Sequence, residues 1–387
     1  MGKIKVLHII TRVVNGGADE NTLFTINGLN KERYQVDLMT GEESEEEILE
    51  RIKLDEEINL YQIEGLVRDI SPLDEIKALR SMYRIIRDNN YDIVHTHVAK
   101  AGVLGRIAAK MAGVPAIVHG IHGITFPAAI NPLLQNLYKN IERLCGSFTD
   151  KFITVGDDMQ QKYIKAGVGR AEEYQTIRSG MELDNFLQAA NNSRAKIKEL
   201  RAELGIRADE IVIGKVSKLE RRKGYRFYLA VAQEIVSKYP QVKFLIVGNG
   251  SLRSRLEGQV REMGLEENVI FTGYRQDIAD VFSIFDIKVL TSLWEGLPRV
   301  LVQAAAVGKP LVSFDVDGAW EIIDEGENGY LVPMQDTETM VEKLSLLIEN
   351  KELRERMGRS AQEKVDKAWS IESMVQQTEQ VYQDLIS

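Results

Sequence analysis

A chain of 387 residues, 44% hydrophobic and 28% charged, is an ordinary globular composition long enough for two domains with full cores. Its net charge of −9 argues against a nucleic-acid binder, which would carry a basic field, and against a purely electrostatic grip on anionic lipid. Cys145 is the only cysteine, which rules out an intrachain disulfide and fits a reducing compartment. The opening MGKIKVLHII lacks the long apolar core and small-residue cleavage site of a secretory signal, and no window approaches about 18 consecutive apolar residues. The expected location is therefore cytoplasmic.

Short apolar runs alternate with helical patterns, the signature of βαβ units and parallel sheets. The predicted elements begin with a strand at Lys5 to Ile10, a helix at Asp19 to Leu29 and a strand at Tyr34 to Met39. Glu42 to Glu50 reads as a solvated acidic run. A helix at Asp74 to Asp88, a strand at Ile93 to Thr96 and a helix at Gly102 to Met111 follow. Strands at Ala116 to His119 and Phe152 to Val155, with the helix Pro132 to Leu144 between them, complete a first sheet. The polar stretch Ser179 to Ala208 interrupts the rhythm. A second set of strands then reads at Ile211 to Val216, Phe244 to Val247, Val269 to Thr272, Ile287 to Leu290 and Leu311 to Phe314. Helices near Tyr225 to Lys238, Ser251 to Met263, Gln276 to Ser283 and Pro298 to Val307 connect them. The fold class is α/β: two Rossmann-like domains with parallel sheets, facing each other across a cleft. The expected domains are 1–184 and 185–370, with a final helix over 371–387 crossing back to the first. Ligands of open parallel sheets bind beyond the carboxyl ends of the strands.

The residues with chemistry sit at those ends. In TSLWEGLPRVLVQAAAVGKP, Glu295 and Gly296 open a loop, Pro298 stands where a helix begins, and Gln303 lies eight positions beyond Glu295. The free N–H groups and positive dipole end of such a helix suit an oxygen-rich anion. In KVSKLERRKGY, Lys218 and Lys223 span a strand-to-helix loop and could neutralise a diphosphate, although Arg221 and Arg222 also give it the look of a charged surface loop. Gly16 and Gly17 let a backbone approach a ligand or make a tight turn. VGNGS, with Gly248 and Gly250, lacks the third glycine of a dinucleotide fingerprint, since Arg253 stands there, and reads as a turn passing close to a nucleotide. FTGYRQD, with Tyr274 and Arg275, could meet a base edge through its backbone.

Four of the five histidines gather in sequence near two strand ends: His95, His97, His119 and His122. Zinc is a consideration, but the signature spacings are missing and no cysteine or acidic residue sits among them. His122, between Gly120 and Gly123, suits a donor to a sugar hydroxyl or phosphate; the other three read as structural. Asp315-Val316-Asp317 imitates a D-x-D metal motif but precedes Gly318 and a helix, so it reads as a turn with capping carboxylates. No obligatory metal is expected.

Taken in order, NGGADENTL, THVAKAGVLGRIAAKMAGVP, HGIHG, IRSGMELDNF, VSKLERRKG, VGNGSLRSRL, FTGYRQDI, WEGLPRVLVQAAAVGKPLV and ENGYLVP resemble the retaining GT-B glycosyltransferases of family four over nearly the whole chain. THVAKAGVLGRIAAK is especially similar to the bacterial subgroup that builds cell-surface polysaccharides on lipid carriers. The resemblance implies that Glu295 holds hydroxyls of the donor sugar, assisted by the backbone of Gly296, Leu297 and Pro298. Gln303 stands where the family has a second glutamate on the ribose, a departure that loses a charge. Lys218 replaces a common arginine, keeping charge but losing the bidentate fork, and Lys223 matches the family lysine on the diphosphate. Gly17 would approach the donor phosphate and His122 the donor sugar or phosphate. The implied reaction is retaining transfer from a nucleotide-diphosphate sugar, UDP-linked by family habit, to a glycan or lipid-linked hydroxyl, without cofactor or metal. Arg12, Lys100 and Arg106, at strand-end and helix-start positions, are expected at an acceptor phosphate. Asn131 to Leu144 carries an apolar stripe with Lys139 and Arg143 that reads either as core-facing, the commoner case, or as resting on the inner membrane face. The fold leaves two rivals: a nucleotide-sugar epimerase and a binding-only relative.

Overall fold

The computed structural model describes residues 2–14, 17–53, 57–126, 131–365 and 369–386. The chain divides into two compact units, Met1–Met181 with Ala368–Ser387, and Glu182–Lys367.

The first unit is built on a seven-stranded parallel sheet. Its strands are β1 (Ile4–Ile9), β2 (Tyr34–Gly41), β3 (Leu60–Ile63), β4 (Ile93–His97), β5 (Ala116–Ile121), β6 (Lys151–Thr154) and β7 (Tyr174–Thr176), in the order β3-β2-β1-β4-β5-β6-β7. The period-two alternation of strands sends Val6, Ile10, Ile93 and Val118 into one buried cluster and Leu7, Ile9, Val94 and Ile117 into another. The first cluster is closed by the C-terminal helix Ile371–Ile386, whose Met374, Val375, Val381 and Tyr382 pack there beside the helix Gly17–Gly28. Full burial of each such aliphatic side chain is worth about 1.5–3 kcal/mol, so this helix is a structural member of the first unit.

The second unit holds a six-stranded parallel sheet of β8 (Ile211–Val216), β9 (Val242–Val247), β10 (Val269–Gly273), β11 (Ile287–Leu290), β12 (Leu311–Phe314) and β13 (Gly329–Val332), in the order β10-β9-β8-β11-β12-β13. Both sheets run outward in opposite directions from a central pair, β1 with β4 and β8 with β11. The order reverses there, so the connections after these strands diverge and leave a crevice at the carboxyl edge.

The strands absent from the sequence reading, β3, β7 and β13, are all sheet edges of three or four residues. That is too short for either alternation or an apolar run to register. Two helices, Asp184–Ala189 and Arg194–Glu203, occupy the polar stretch, burying only Phe186, Ala189 and Leu200, and the acidic run contributes the helix Glu46–Lys53. The D-x-D segment leads into a single 3-10 turn, Ala319–Glu321, whose cap position is Gly318 rather than a carboxylate, so the expected carboxylate cap is corrected.

Burial keeps several titratable groups uncharged, and the two units do this with different residues. His8 is driven down to about 3 by desolvation, and His95, His97 and His119 are held well below their usual 6.5 for the same reason. Below that value the unfolded chain takes up protons that the folded unit refuses, so the first unit loses stability as pH falls. In the second unit burial lowers Lys288 to about 7, with nearby Lys223 adding to the effect. Its unfolded value is 10.5, so its influence makes stability rise with pH between those two values and is flat below them. Acidification from about pH 7 to about pH 5 is therefore expected to raise the opening rate of amides in the first sheet. Hydrogen exchange corrected for intrinsic rates measures this, and an unchanged opening rate contradicts it.

Candidate active site

At the carboxyl edge of the second sheet, the loops after β8 and β11 meet. The Lys223 ammonium donates to Glu295 Oε1 at 2.6 Å, and Arg222 approaches Oε2 at 3.4 Å. Glu295 is almost removed from water, which pulls its carboxyl upward, but the Lys223 charge and hydrogen bond prevail and hold it below its usual range. The pair thus stays ionised in a partly dry setting, where electrostatic attraction is stronger than in bulk water.

Three backbone-level ties set this geometry. Lys215, wholly buried in β8, donates from Nζ to the Lys223 carbonyl at 2.8 Å and to Thr291 Oγ1 at 2.8 Å. Burial and the neighbouring Lys288 and Lys223 charges lower its pKa far below the lysine norm. Its Nζ braces the two loops through these bonds. Leu293 N–H donates to the Arg222 carbonyl at 2.8 Å. Gly224, at φ +66°, lies so close to the Thr291 carbonyl that a Cβ would fall 1.8 Å from its oxygen. Only glycine closes that junction.

Other residues singled out from the sequence take the following places. Lys218 is exposed just past β8 and lies outside the Glu295 pair. Gly296 and Leu297 lead to the helix Arg299–Ala306; Pro298 occupies the cap position rather than the first turn, and Gln303 is half-buried on that helix. The glycines of VGNGS answer first to the protein's own backbone. A Cβ at Gly248 would sit 2.2 Å from the Ser217 carbonyl oxygen, and one at Gly250 would sit 2.6 Å from the Leu219 amide nitrogen. Tyr274 is exposed, while Arg275 is engaged by Asp277 at 2.6 Å and Glu203 at 2.5 Å.

In the first unit, Gly16 lies outside the described residues and Gly17 opens the helix Gly17–Gly28. Arg12 is half-buried three residues beyond β1. Lys100 pairs with Glu75 at 2.9 Å and also donates to the Asp69 carbonyl. Arg106 corrects the sequence reading: it is fully buried, ion-paired with Glu142 at 2.7 Å and bonded to the Gly102 carbonyl, so it cannot meet an acceptor. Its place within the helix Ala99–Ala112 turns it toward the helix Pro132–Gly146, whose buried face is Glu142, Cys145 and Gly146. Leu133, Leu134, Leu137 and Leu144 of that helix are consequently exposed, with Leu133 at 80% and Leu144 at 64%, so the core-facing reading of its stripe is also corrected.

The histidines regroup as well. His95 pairs in register with Val118 and with His8 of β1, so His8, His95 and His97 share one face, whereas His119 sits opposite Thr96 on the other and bonds its hydroxyl at 2.9 Å. Ring nitrogens of His8, His95 and His97 lie within 4.8 Å of one another. His8 Nδ1 and His97 Nε2 already share a hydrogen bond of 2.9 Å, and His97 Nδ1 meets His122 Nε2 at 3.0 Å. His8 went unweighed in the sequence because it stands alone, ninety residues from the others. A lysine inside the apolar run IVIGKV was the available signal for Lys215.

Two family models match the chain, one described as glycosyl transferases group 1 over residues 196–364 and one as glycosyl transferase 4-like over residues 17–155. Its curated relatives include the UDP-Gal:alpha-D-GlcNAc-diphosphoundecaprenol alpha-1,3-galactosyltransferase of Escherichia coli, 27% identical over 99% of this chain and 98% of the relative. The capsular polysaccharide biosynthesis glycosyltransferase CapM of Staphylococcus aureus is 24% identical over 81% of this chain and 82% of its own. Among solved structures, Anabaena HepE in complex with UDP superposes with a TM-score of 0.81 at 23% identity, covering 99% of this chain and 100% of that one, a likeness of fold.

The reassignment of Arg106 carries its own test. Arg106→Met leaves the Glu142 carboxylate buried without its cation and should cost about 3–5 kcal/mol, most of it regained in Arg106→Met/Glu142→Leu. Chemical denaturation reads both values. A stable Arg106→Met protein with only a raised acceptor KM would restore the acceptor role.

Proposed function

The chain belongs to the GT-B glycosyltransferases of family four, and on that premise we propose that it moves a sugar from a UDP-linked donor to a hydroxyl of a glycan or lipid-linked acceptor in bacterial surface-polysaccharide synthesis, with retention at the anomeric carbon. The observation that carries this reading is the Lys223–Glu295 pair at the switch point of the second sheet. A diphosphate arriving there draws on the Lys223 ammonium and frees the Glu295 carboxylate to accept hydrogen bonds from sugar hydroxyls. Lys218 and the first amides of the helix Arg299–Ala306 add positive potential on the same side. Gln303 meets the ribose hydroxyls as a neutral amide.

As the bond from the anomeric carbon to the phosphate oxygen breaks, the acceptor oxygen attacks the same face and its proton passes to the leaving phosphate. The protein's part is electrostatic: fixed ammonium groups stabilise the charge that develops on the departing diphosphate. In this reading those cations replace a divalent metal. UDP as the carrier is supported by HepE, solved with UDP and with UDP-glucose, and by the UDP-Gal named for the Escherichia coli relative. That relative's diphosphoundecaprenol-linked sugar supports a lipid-carried acceptor. Arg12 is the residue proposed at the acceptor phosphate, since Lys100 is already paired with Glu75. His122 is proposed at the donor sugar or phosphate.

Lys223→Ala should retain the fold and lose roughly two to three decades of turnover, the usual worth of one such partner at about 2.7–4 kcal/mol. Assays of UDP-sugars with lipid acceptors measure it by acceptor-dependent release of UDP. Near-normal turnover in a folded variant would remove the assignment. Epimer formed without acceptor would make the protein an isomerase, and tight binding without either product a sensor.

Membrane contact belongs to the same reading. Among the described residues no helix is long and apolar enough to cross a bilayer, but Leu133, Leu134, Leu137 and Leu144 present an exposed apolar face beside Lys139 and Arg143. Wild-type protein is expected to float with anionic vesicles, and Leu133→Asp/Leu137→Asp to stay behind with its activity on a soluble acceptor intact. Equal flotation of both would dismiss this surface.

A further inference from the structure

On one face of the first sheet, five polar side chains form an unbroken hydrogen-bonded series. Tyr382 Oη, on the C-terminal helix, lies 2.6 Å from His95 Nδ1 and 3.2 Å from His8 Nε2. His8 Nδ1 is 2.9 Å from His97 Nε2, and His97 Nδ1 is 3.0 Å from His122 Nε2. All but His122 are buried. The last link fits only because residue 120 is glycine: a Cβ there would come within 2.7 Å of His97 Nδ1, 3.1 Å of His122 Nε2 and 3.2 Å of His95 Nε2.

Desolvation keeps His8, His95 and His97 uncharged at neutral pH. A neutral imidazole has one N–H and one lone pair, and a phenol has one hydrogen to give. His8 and His97 use both ring nitrogens, so each donates once and accepts once. Tyr382 is buried as well, and its hydrogen has no acceptor in the series except His95 or His8, so with that hydrogen spent inside the series only two orders remain. In one, Tyr382 donates to His8, His8 donates from Nδ1 to His97, His97 donates from Nδ1 to His122, and His95 donates from Nδ1 to Tyr382. In the other, every hydrogen points the opposite way.

His95 Nε2 separates the two. It is buried with no hydrogen-bond partner among the described residues. The first order leaves it as a bare lone pair, whereas the second leaves it as a buried N–H. Orphaned buried donors are the rarer and costlier case. We propose that the series is proton-ordered toward the carboxyl edge of the sheet and holds His122 in its Nδ1–H tautomer, so that His122 acts through Nδ1 as a hydrogen-bond donor. Tyr382, His8 and His97 are then positioning residues. A phosphate oxygen can only accept, so this tautomer is the one a nucleotide-sugar phosphate requires. That last step rests on the donor-contact reading of His122; the ordering itself does not.

The ordering predicts that His8, His95, His97 and His122 all carry their proton on Nδ1. Long-range proton–nitrogen correlation on full-length protein with 15N-labelled histidine reads each ring directly, with His97→Asn and His122→Asn assigning the signals. Four Nδ1–H rings are the expected result. His122 protonated at Nε2, opposite tautomers at His8 and His97, or stoichiometric zinc in the purified protein would each overturn the order. In His97→Leu the His122 ring should lose its single tautomer, and in His97→Asn, whose amide can donate from nearly the same place, regain it. An unchanged His122 ring in folded His97→Leu also overturns the proposal.

UDP-glucose then tests the coupled reading separately. It should shift the His122 signals, and His97→Leu should raise donor KM roughly two- to tenfold, the range of one hydrogen bond, with little change in kcat. Four Nδ1–H rings that UDP-glucose leaves untouched would retire the donor contact of His122 and leave the order standing.

Discussion

The geometry at the carboxyl edge of the second sheet depends on one ion pair. Lys223 and Glu295 come from loops that follow different strands, and their 2.6 Å contact exists because β8 and β11 are neighbours at the point where the strand order reverses. A nearly dry carboxylate would ordinarily take up a proton; here the ammonium keeps it charged. In the proposed function these two groups are the ones a sugar and a diphosphate compete for, and the ion pair is exchanged for contacts to the ligand.

Lys215 shows how such a pair is kept in register. Burial and the neighbouring cations pull its pKa well below the lysine norm, and its Nζ donates to the Lys223 carbonyl and to Thr291. The first sheet solves the matching problem with imidazoles. His8, His95 and His97 remain neutral by burial and share hydrogen bonds with one another, with Tyr382 and with His122.

The C-terminal helix links chain topology to chemistry. By returning to the first unit it covers the face that holds the histidines and supplies the phenol that joins His95 to His8 in their series. The helix Pro132–Gly146 does the reverse with its leucines. It turns Glu142 inward to satisfy Arg106 and leaves an apolar surface outside. A buried charge needs its partner more than a leucine needs the core, because an unpaired buried charge costs more than an exposed aliphatic group.

Sequence by itself determined the class of fold and where the candidate residues stand relative to the strands. Central strands such as Ile211–Val216 and Leu311–Phe314 are mostly apolar runs, and the Glu295, Lys223 and His122 segments stand just past strands, where parallel sheets place ligands. The tertiary structure alone decided the partners. Register placed His8 beside His95 and sent His119 to the opposite face, a matter of pleat and pairing that one strand's sequence does not contain. Burial turned Arg106 from a surface cation into a core ion pair, because the charge that satisfies it lies on another helix, thirty-six residues away. The edge strands β3, β7 and β13 and the partners of Lys215 were likewise decided by the fold. Pairing and desolvation are properties of contacts between distant segments, and periodicity reports only what one segment does alone.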